Sequence, residues 1–475
     1  MVMGELTQET DVLVLGGGPG GYAAAFRAAD LGMDVTVLDA EGRLGGVCLF
    51  RGCIPSKTLL HVTELLHDAK QAQEMGLTFG APQLDLEQLR RWKSQVIEKL
   101  AGGLSDLAKK RGVQVIKGRG VFESSNLVRV AGGEVSHFKF RHAIVATGSQ
   151  AAPLPGGELK AGGRIMGSSG ALALAEIPEK LLVVGAGYVG MELGSVYGAL
   201  GSEVTVVEVG SRIMAGADTD LVQPVARQLA GLFKAIHLNT RVTSLVEEGS
   251  QVHATFEGKE SLPPAAFDRA LIAIGRHPNS KGIGLENTQV KTDERGFIVV
   301  DDQRRTADPH IFAIGDVIGG VMLAHKAMHE GKVAAEVIAG QPAAFDFQAI
   351  PAVMYTDPQI AWCGLTEDEA RRQKRPVQVA RFPWSASGRA ASLGLQKGMT
   401  KLIVDPESGR VLGMGIVGRE AGEMIAEGVL AIEMGALAED LALTIHPHPT
   451  LSEGEEEAAE AFLGSSTHIL PLRKA

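Results

Sequence analysis

Cysteine is scarce, with three in a chain of 475 residues. That excludes a small secreted scaffold held together by many disulfides. Aromatic residues make up only 5%, and no uncharged apolar run approaches the roughly 18 residues that a membrane-spanning helix needs. Positive charge is not in excess either. The 46 Lys and Arg against 56 Asp and Glu leave a net charge of −10, which removes any general attraction to nucleic acid or anionic membranes. The start, Met1-Val2-Met3-Gly4-Glu5, lacks the basic and apolar stretches of an export signal, so a cytoplasmic protein is expected. Glycine is abundant by contrast, at 60 residues, and 45% of the chain is hydrophobic. At this length the composition points to about two to four domains of α/β type.

One pattern occurs twice. The apolar stretch from Asp11 to Leu15 runs into Gly16-x-Gly18-x-x-Gly21, an alanine-rich helix to Leu31-Gly32, and a second apolar stretch ending at Asp39. Leu181 to Val184 likewise runs into Gly185-x-Gly187-x-x-Gly190, a helix to Leu200-Gly201, and a stretch ending at Glu208. Every equivalent pair is 169 residues apart. A lone glycine pattern of this kind is weak evidence, because tight turns without a ligand are common. Here each copy has a strand before it, a helix after it, and an acidic residue 18 positions beyond the last glycine. That plan sets a pyrophosphate on a helix N-terminus and a ribose diol on a carboxylate, so two dinucleotides are expected. Glu208 repels a 2′-phosphate and favours NAD over NADP, although Arg212 lies near it in sequence.

A further echo pairs Phe140 to Gly148 with Phe267 to Gly275, at an offset of 127 rather than 169, so the first copy carries 42 extra residues. They lie between Asp39 and Phe140, with helical patterns from Ser56 to Glu74 and from Leu86 to Arg111. The same interval holds Cys48 and Cys53, in Gly45-Gly46-Val47-Cys48-Leu49-Phe50-Arg51-Gly52-Cys53-Ile54-Pro55-Ser56-Lys57. Two cysteines at that spacing also occur in metal sites. Zinc, however, usually takes four N or S ligands, and the only other cysteine, Cys363, is distant with no His cluster around it. A redox-active disulfide is the better reading, and in a reducing compartment such a pair is more often catalytic than structural. Near the C-terminus, His448 stands between Pro447 and Pro449, with Glu453 five residues on. An imidazole suits proton transfer to and from a thiol near neutral pH, and a carboxylate would orient it. His446 reads as structural, Cys363 as a small core residue, and Met424 to Met434 as core at helical spacing.

These motifs, together with Ile311 to Asp316, Leu323-Ala324-His325-Lys326-Ala327 and His446 to Glu453, resemble in order and over nearly the whole length the flavoprotein disulfide reductases, most closely the dihydrolipoyl dehydrogenases. The resemblance implies an FAD-binding domain with the disulfide over 1–150, an NAD-binding domain over 151–278, a central segment returning to FAD over 279–348, and an α+β dimerisation domain over 349–475. It implies FAD at Gly16, Gly18, Gly21, Asp39, Gly148, Asp316 and Ala324, with NAD at Gly185, Gly187, Gly190, Glu208 and Gly275. Lys57 and Glu192 match the family's ion pair beside the flavin, and no metal is implied. His448 and Glu453 would act on the disulfide of the partner subunit in a homodimer. The implied reaction oxidises dihydrolipoamide on a lipoylated protein through Cys48 and Cys53, reducing NAD. That protein would be the acyltransferase core of a 2-oxo acid dehydrogenase complex or the glycine-cleavage lipoyl protein.

Phe50, Arg51 and Tyr188 depart from the usual pattern. Tyr188 is similar to the glutathione reductase residue that covers the nicotinamide pocket, though packing against the sheet would also account for it. Glutathione reductase is accordingly the alternative activity. The absence of cysteine after Cys363 argues against mercuric reductase and the large thioredoxin reductases, and the presence of both Cys48 and Cys53 argues against soluble transhydrogenase. A redox-inert structural flavoprotein would not need the set Cys48, Cys53, His448 and Glu453.

Overall fold

The computed structural model describes residues 7–132, 135–154, 159, 162–259 and 261–470. The Met1 to Glu5 segment, where no export signal is expected, lies outside them. Among the described residues no helix is long and apolar enough to cross a membrane.

The doubled pattern folds as two parallel sheets with matching registers. In the first, Thr7–Leu15 lies between Val35–Asp39 and His137–Val145, with Gln114–Lys117 at one edge and the antiparallel strands Leu127–Ala131 and Arg119–Ser124 beyond the other. In the second, Lys180–Val184 lies between Glu203–Val207 and Arg269–Ile272. Val12 faces Val35 as Leu181 faces Val204, and Leu13 faces Ala143 as Leu182 faces Ala270. Both sequence offsets therefore persist residue by residue in the strand pairing. Val12 to Val14 and Leu181 to Val183 are fully buried, as near-continuous apolar strands covered on both faces must be.

The longer interval of the first copy includes three helices. Gly46–Arg51 carries Cys48, Cys53–Gln71 begins on the second cysteine, and Leu86–Lys110 packs across them. The sequence pattern starts the middle helix three residues late, because apolar periodicity does not register an N-terminal turn made of Cys53, Ile54 and Pro55; Pro55 is tolerated there because the first turn needs no N–H donors. Further on, Ile311–Ala313 pairs with His137–Val145, so the chain returns to the first sheet and delivers Asp316 beside the glycine loop.

A five-stranded antiparallel sheet follows, in the order Ala352–Met354, Gln359–Gly364, Val411–Gly418, Met399–Val404, Gln378–Pro383, flanked by the helices Ala421–Met434 and Glu453–Leu463. Cys363 is buried in its core. The Met424 to Met434 stretch is only partly core: Ile425, Gly428 and Ala431 are buried, but Leu430 and Met434 point outward. The core stripe of that helix falls on the small residues instead. Lys401, 1% exposed, ties this sheet to the second repeat through Asp218 at 2.7 Å and Asp220 at 2.8 Å, and pairs with Glu367 of its own domain at 3.0 Å. Those three carboxylates are close enough to hold a metal ion, but the Lys401 ammonium sits among them.

Candidate active site

A cleft of about 1200 Å3 runs along the C-terminal edge of the first sheet and under the second repeat. Such a crevice is where open α/β sheets take their ligands. Of the residues expected from the sequence to bind or react, Gly16, Gly18, Asp39, Cys48, Cys53, Lys57, Gly148, Glu192, Asp316 and Ala324 all line it.

The loop at its floor is shaped for close approach. Gly16 has φ +107° and a Cβ there would meet the carbonyl oxygen of Ala146 at 2.4 Å, while a Cβ on Gly21 would lie 1.9 Å from the carbonyl oxygen of Gly16. Only glycine fits either position. A Cβ at Gly18 would meet nothing closer than 4.0 Å, so the space above it is open at the N-terminus of helix Pro19–Asp30. Asp39 accepts hydrogen bonds from the backbone N–H of Gly17 and of Glu41, both at 2.9 Å. The second loop repeats this arrangement. Gly185 has φ +102°, and Glu208 accepts from Ala186 N at 2.7 Å and Gly210 N at 2.6 Å. These are the same partners displaced by 169 residues. Both loops thus fit a dinucleotide pyrophosphate, with a carboxylate placed for its ribose.

Gly185, Gly187, Gly190, Glu208 and Gly275 lie outside the main cleft, to which helix Tyr188–Ala199 contributes Tyr188 and Glu192. Tyr188 stands 39% exposed on the cleft wall and does not pack into the sheet. Arg212 is engaged with Asp368 at 2.7 Å, Thr219 and the Ala215 carbonyl. It is committed away from Glu208.

Cys48 and Cys53 are adjacent as two thiols, whereas the sequence reading expects a disulfide. The Cys48 thiol donates a hydrogen bond to Cys53, which pulls the Cys53 thiol down to about 7 against the opposing effect of burial; Lys57 adds to the lowering. Conversely, the same bond and burial push Cys48 up. Cys53 is also the first residue of helix Cys53–Gln71, where the helix dipole favours a thiolate. The asymmetry favours ionisation of Cys53 over Cys48.

Beside the pair, Lys57 Nζ lies 2.7 Å from Glu192 and 4.5 Å from the centre of the Tyr355 ring. Glu192 is buried, and also accepts from Ser56 Oγ at 3.0 Å and Tyr355 N at 2.9 Å. Phe50 and Arg51 join the redox helix to the loop after Asp39: the Arg43 guanidinium stacks on Phe50, and Arg51 pairs with Glu41.

Several supporting residues carry little sequence signal. Ser149 Oγ donates to Asp316 at 2.5 Å and accepts from Arg276 Nε at 2.6 Å, with Arg276 itself on the cleft wall. Buried Glu330 accepts from Gly315 N at 2.8 Å and pairs with Lys326 at 2.8 Å, fixing the turn that presents Asp316 and Ala324. Ser149 and Arg276 directly follow the repeated glycines Gly148 and Gly275, and that placement is the pointer the sequence offers to them.

His448 and Glu453 are in contact, Nδ1 to Oε1 at 2.7 Å, and the other Glu453 oxygen accepts from Thr450 N at 2.6 Å. Burial pushes the Glu453 carboxyl up, but those two bonds outweigh it and hold the group below its ordinary value. With Nδ1–H donating to Glu453, Nε2 is the nitrogen that can accept a proton. Yet the His448 side chain is 76% exposed, and neither residue lines the cleft of its own chain. His446 is buried with Nε2 on Glu427 at 2.9 Å and Nδ1 on the Thr444 carbonyl at 2.8 Å.

Comparison with known proteins places these features in context. Residues 10–331 match the model for pyridine nucleotide-disulphide oxidoreductases, and residues 350–459 match the dimerisation domain of the same enzymes. The chain is 49% identical to a dihydrolipoyl dehydrogenase of Vibrio parahaemolyticus, over 98% of each chain. It is 44% identical to one of Geobacillus stearothermophilus, over 99% of this chain and 100% of that one. Among solved structures it is similar to LpdA from Mycobacterium tuberculosis, with TM-score 0.87, 28% identity, and 95% of this chain and 99% of that one covered. The HOCl-induced flavoprotein disulfide reductase RclA from Escherichia coli gives TM-score 0.84 and 26% identity, with the same coverage.

Proposed function

This chain belongs to the pyridine nucleotide-disulphide oxidoreductases, FAD- and NAD-using enzymes, and from that premise we propose that it oxidises dihydrolipoyl groups carried by a partner protein and reduces NAD. The observation that carries this reading is one cleft holding the Cys48 and Cys53 pair, the Lys57–Glu192 ion pair and the Gly16 to Asp39 cradle.

The proposed assignment has Gly16, Gly18, Gly21, Asp39, Gly148, Asp316 and Ala324 hold FAD, and Gly185, Gly187, Gly190, Glu208 and Gly275 hold NAD. When bound, FAD supplies the redox chemistry that moves an electron pair from the dithiol to NAD. The chain's own residues do the rest. In the disulfide state of the pair, His448 Nε2 takes the proton from a substrate thiol, and the sulfur attacks Cys48. A mixed disulfide forms and Cys53 leaves as a thiolate, stabilised by its helix N-terminus and Lys57. The second substrate thiol then attacks its own neighbour, closes the lipoyl disulfide and frees Cys48, which recovers a proton. Glu453 holds the ring and offsets the charge it gains. Glu208 with Arg212 turned away favours NAD over NADP.

The exposed His448–Glu453 pair belongs to the dimerisation domain, and in this reading it completes the cleft of a partner subunit in a homodimer. The lipoylated partner is the acyltransferase core of a 2-oxo acid dehydrogenase complex or a glycine-cleavage lipoyl protein. Cys48→Ser tests the pair directly. It is expected to abolish dihydrolipoamide-dependent NADH formation while leaving NADH oxidation by ferricyanide, which needs no thiol exchange; turnover of dihydrolipoamide by that variant counts against the mechanism.

A further inference from the structure

Glu455 is the third residue of helix Glu453–Leu463, two positions beyond the carboxylate that orients His448. It is 0% exposed, and no described N–H or O–H group donates to either of its carboxyl oxygens. An ionised carboxylate in that setting would be fully desolvated without a single donor, at a large cost. The side chain in reach is Glu427, from helix Ala421–Met434. Between two carboxyl groups a hydrogen bond exists only if one keeps its proton, and the more deeply buried one keeps it. Burial first, then the neighbouring Glu427, push the Glu455 carboxyl up to about 9. Glu427 in turn accepts from His446 Nε2, and His446 is anchored to the carbonyl of Thr444.

We propose that Glu455 is a positioning residue for the base: as an un-ionised acid it donates to Glu427, fixing the Glu427–His446 pair and the 444–452 segment from which His448 projects. This rests on the reading of His448 as the base that deprotonates the substrate thiol. Other titratable groups around the helix do not offer Glu455 an alternative partner. Cys363 lies near it on strand Gln359–Gly364, itself a buried thiol pushed up to about 12. Arg381 and Lys401, from the two strands under the helix, are committed to Asp220, Asp218 and Glu367, and Asp440 of the adjoining helix caps its own N-terminus. Raising the pH ionises Glu455, places two carboxylates together in the interior, and loosens the segment.

The test uses FAD-loaded enzyme and three variants, Glu455→Gln, Glu455→Ala and His448→Gln. Dihydrolipoamide turnover is followed from about pH 6.5 to about pH 10, beside NADH oxidation by ferricyanide, which does not use His448. The glutamine amide keeps a donor and cannot ionise. Wild type is therefore expected to fall below Glu455→Gln on the alkaline side, by about tenfold at the upper end, with coincident ferricyanide profiles. Glu455→Ala is expected to lose about tenfold or more of dihydrolipoamide turnover at neutral pH with ferricyanide reduction unchanged, because a displaced base is ineffective. Superimposed wild-type and Glu455→Gln profiles overturn the inference, as does an alanine variant with wild-type turnover. Should the alanine variant fail to fold, the glutamine comparison decides alone. Normal turnover in His448→Gln sinks the reading of the base and the inference with it, whereas an impaired His448→Gln with superimposed Glu455→Gln and wild-type profiles sinks only the inference.

Discussion

Two dead subunits should make one live site. His448 is 76% exposed and outside the cleft that holds Cys48 and Cys53 of its own chain, on a segment that belongs to the dimerisation domain. If His448 completes the partner's cleft, a heterodimer of Cys48→Ser and His448→Gln subunits has one site with both defects and one with neither. A heterodimer purified through two different tags should then show about half the wild-type rate with dihydrolipoamide and NAD, given two equivalent sites per dimer. An unsorted equal mixture, in which half of the dimers are mixed, should show about a quarter. Each parental homodimer should be inactive in that assay. If the base served its own subunit, each chain would carry one defect and every dimer would be dead. A mixed dimer no more active than its parents refutes the reasoning. The ferricyanide rate, measured on the same samples, verifies that the FAD-loaded subunits are intact.

Two further perturbations follow from the geometry. Glu208→Ala removes the carboxylate offered to the ribose hydroxyls, and charge-assisted bonds of this kind contribute about 1.5–3 kcal/mol each, so kcat/KM for NAD should fall by at least about tenfold while that for NADP falls less; equal losses for both nucleotides would remove Glu208 from cofactor selection. Lys401→Met strands Asp218, Asp220 and Glu367 around an apolar side chain and should cost about 3–5 kcal/mol, read as a lowered Tm. Desolvation opposes but Lys401 and its hydrogen bonds prevail, so Asp218 and Asp220 titrate below their ordinary 3.8. Their contribution is present above that value and disappears as pH falls through the lower folded values; the wild-type advantage should therefore shrink in acid, and an advantage independent of pH would exclude the ion network as its source.

How much of this was legible in the sequence depends on range. The repeated strand–loop–helix units were readable because glycine spacing and apolar runs are local, and the offsets of 169 and 127 reappear intact in the strand registers. The cysteine pair and the His448–Glu453 contact were readable for the same reason, as each lies within six residues of chain. Asp316 needed more, because its place beside the glycine loop depends on Ile311–Ala313 joining a strand some 170 residues earlier. Ser149, Arg276 and Glu330 support the site through contacts between distant segments, and beyond the repeated glycines that precede Ser149 and Arg276 nothing in their neighbourhoods marks them. Arg212 looked competent to bind a phosphate until Asp368, from another domain, was found on it. Glu455 sits in an acidic stretch, Glu453 to Glu457 interrupted only by Gly454, that reads as a solvated helix face; its complete burial is a property of the packed domain. The exposure of Met434 has the same origin, since periodicity gives a stripe but not which side of it meets the sheet.

The most direct test of the central claim is NADH formation by the purified FAD-loaded protein from dihydrolipoamide and NAD, run beside NADP and beside glutathione disulfide with NADPH. The account predicts rapid turnover with dihydrolipoamide and NAD, and little with the other two combinations. Activity confined to glutathione disulfide and NADPH would contradict it, keeping the thiol pair and the fold but assigning the cleft to a different disulfide and making Tyr188 a better guide to the substrate than Glu208.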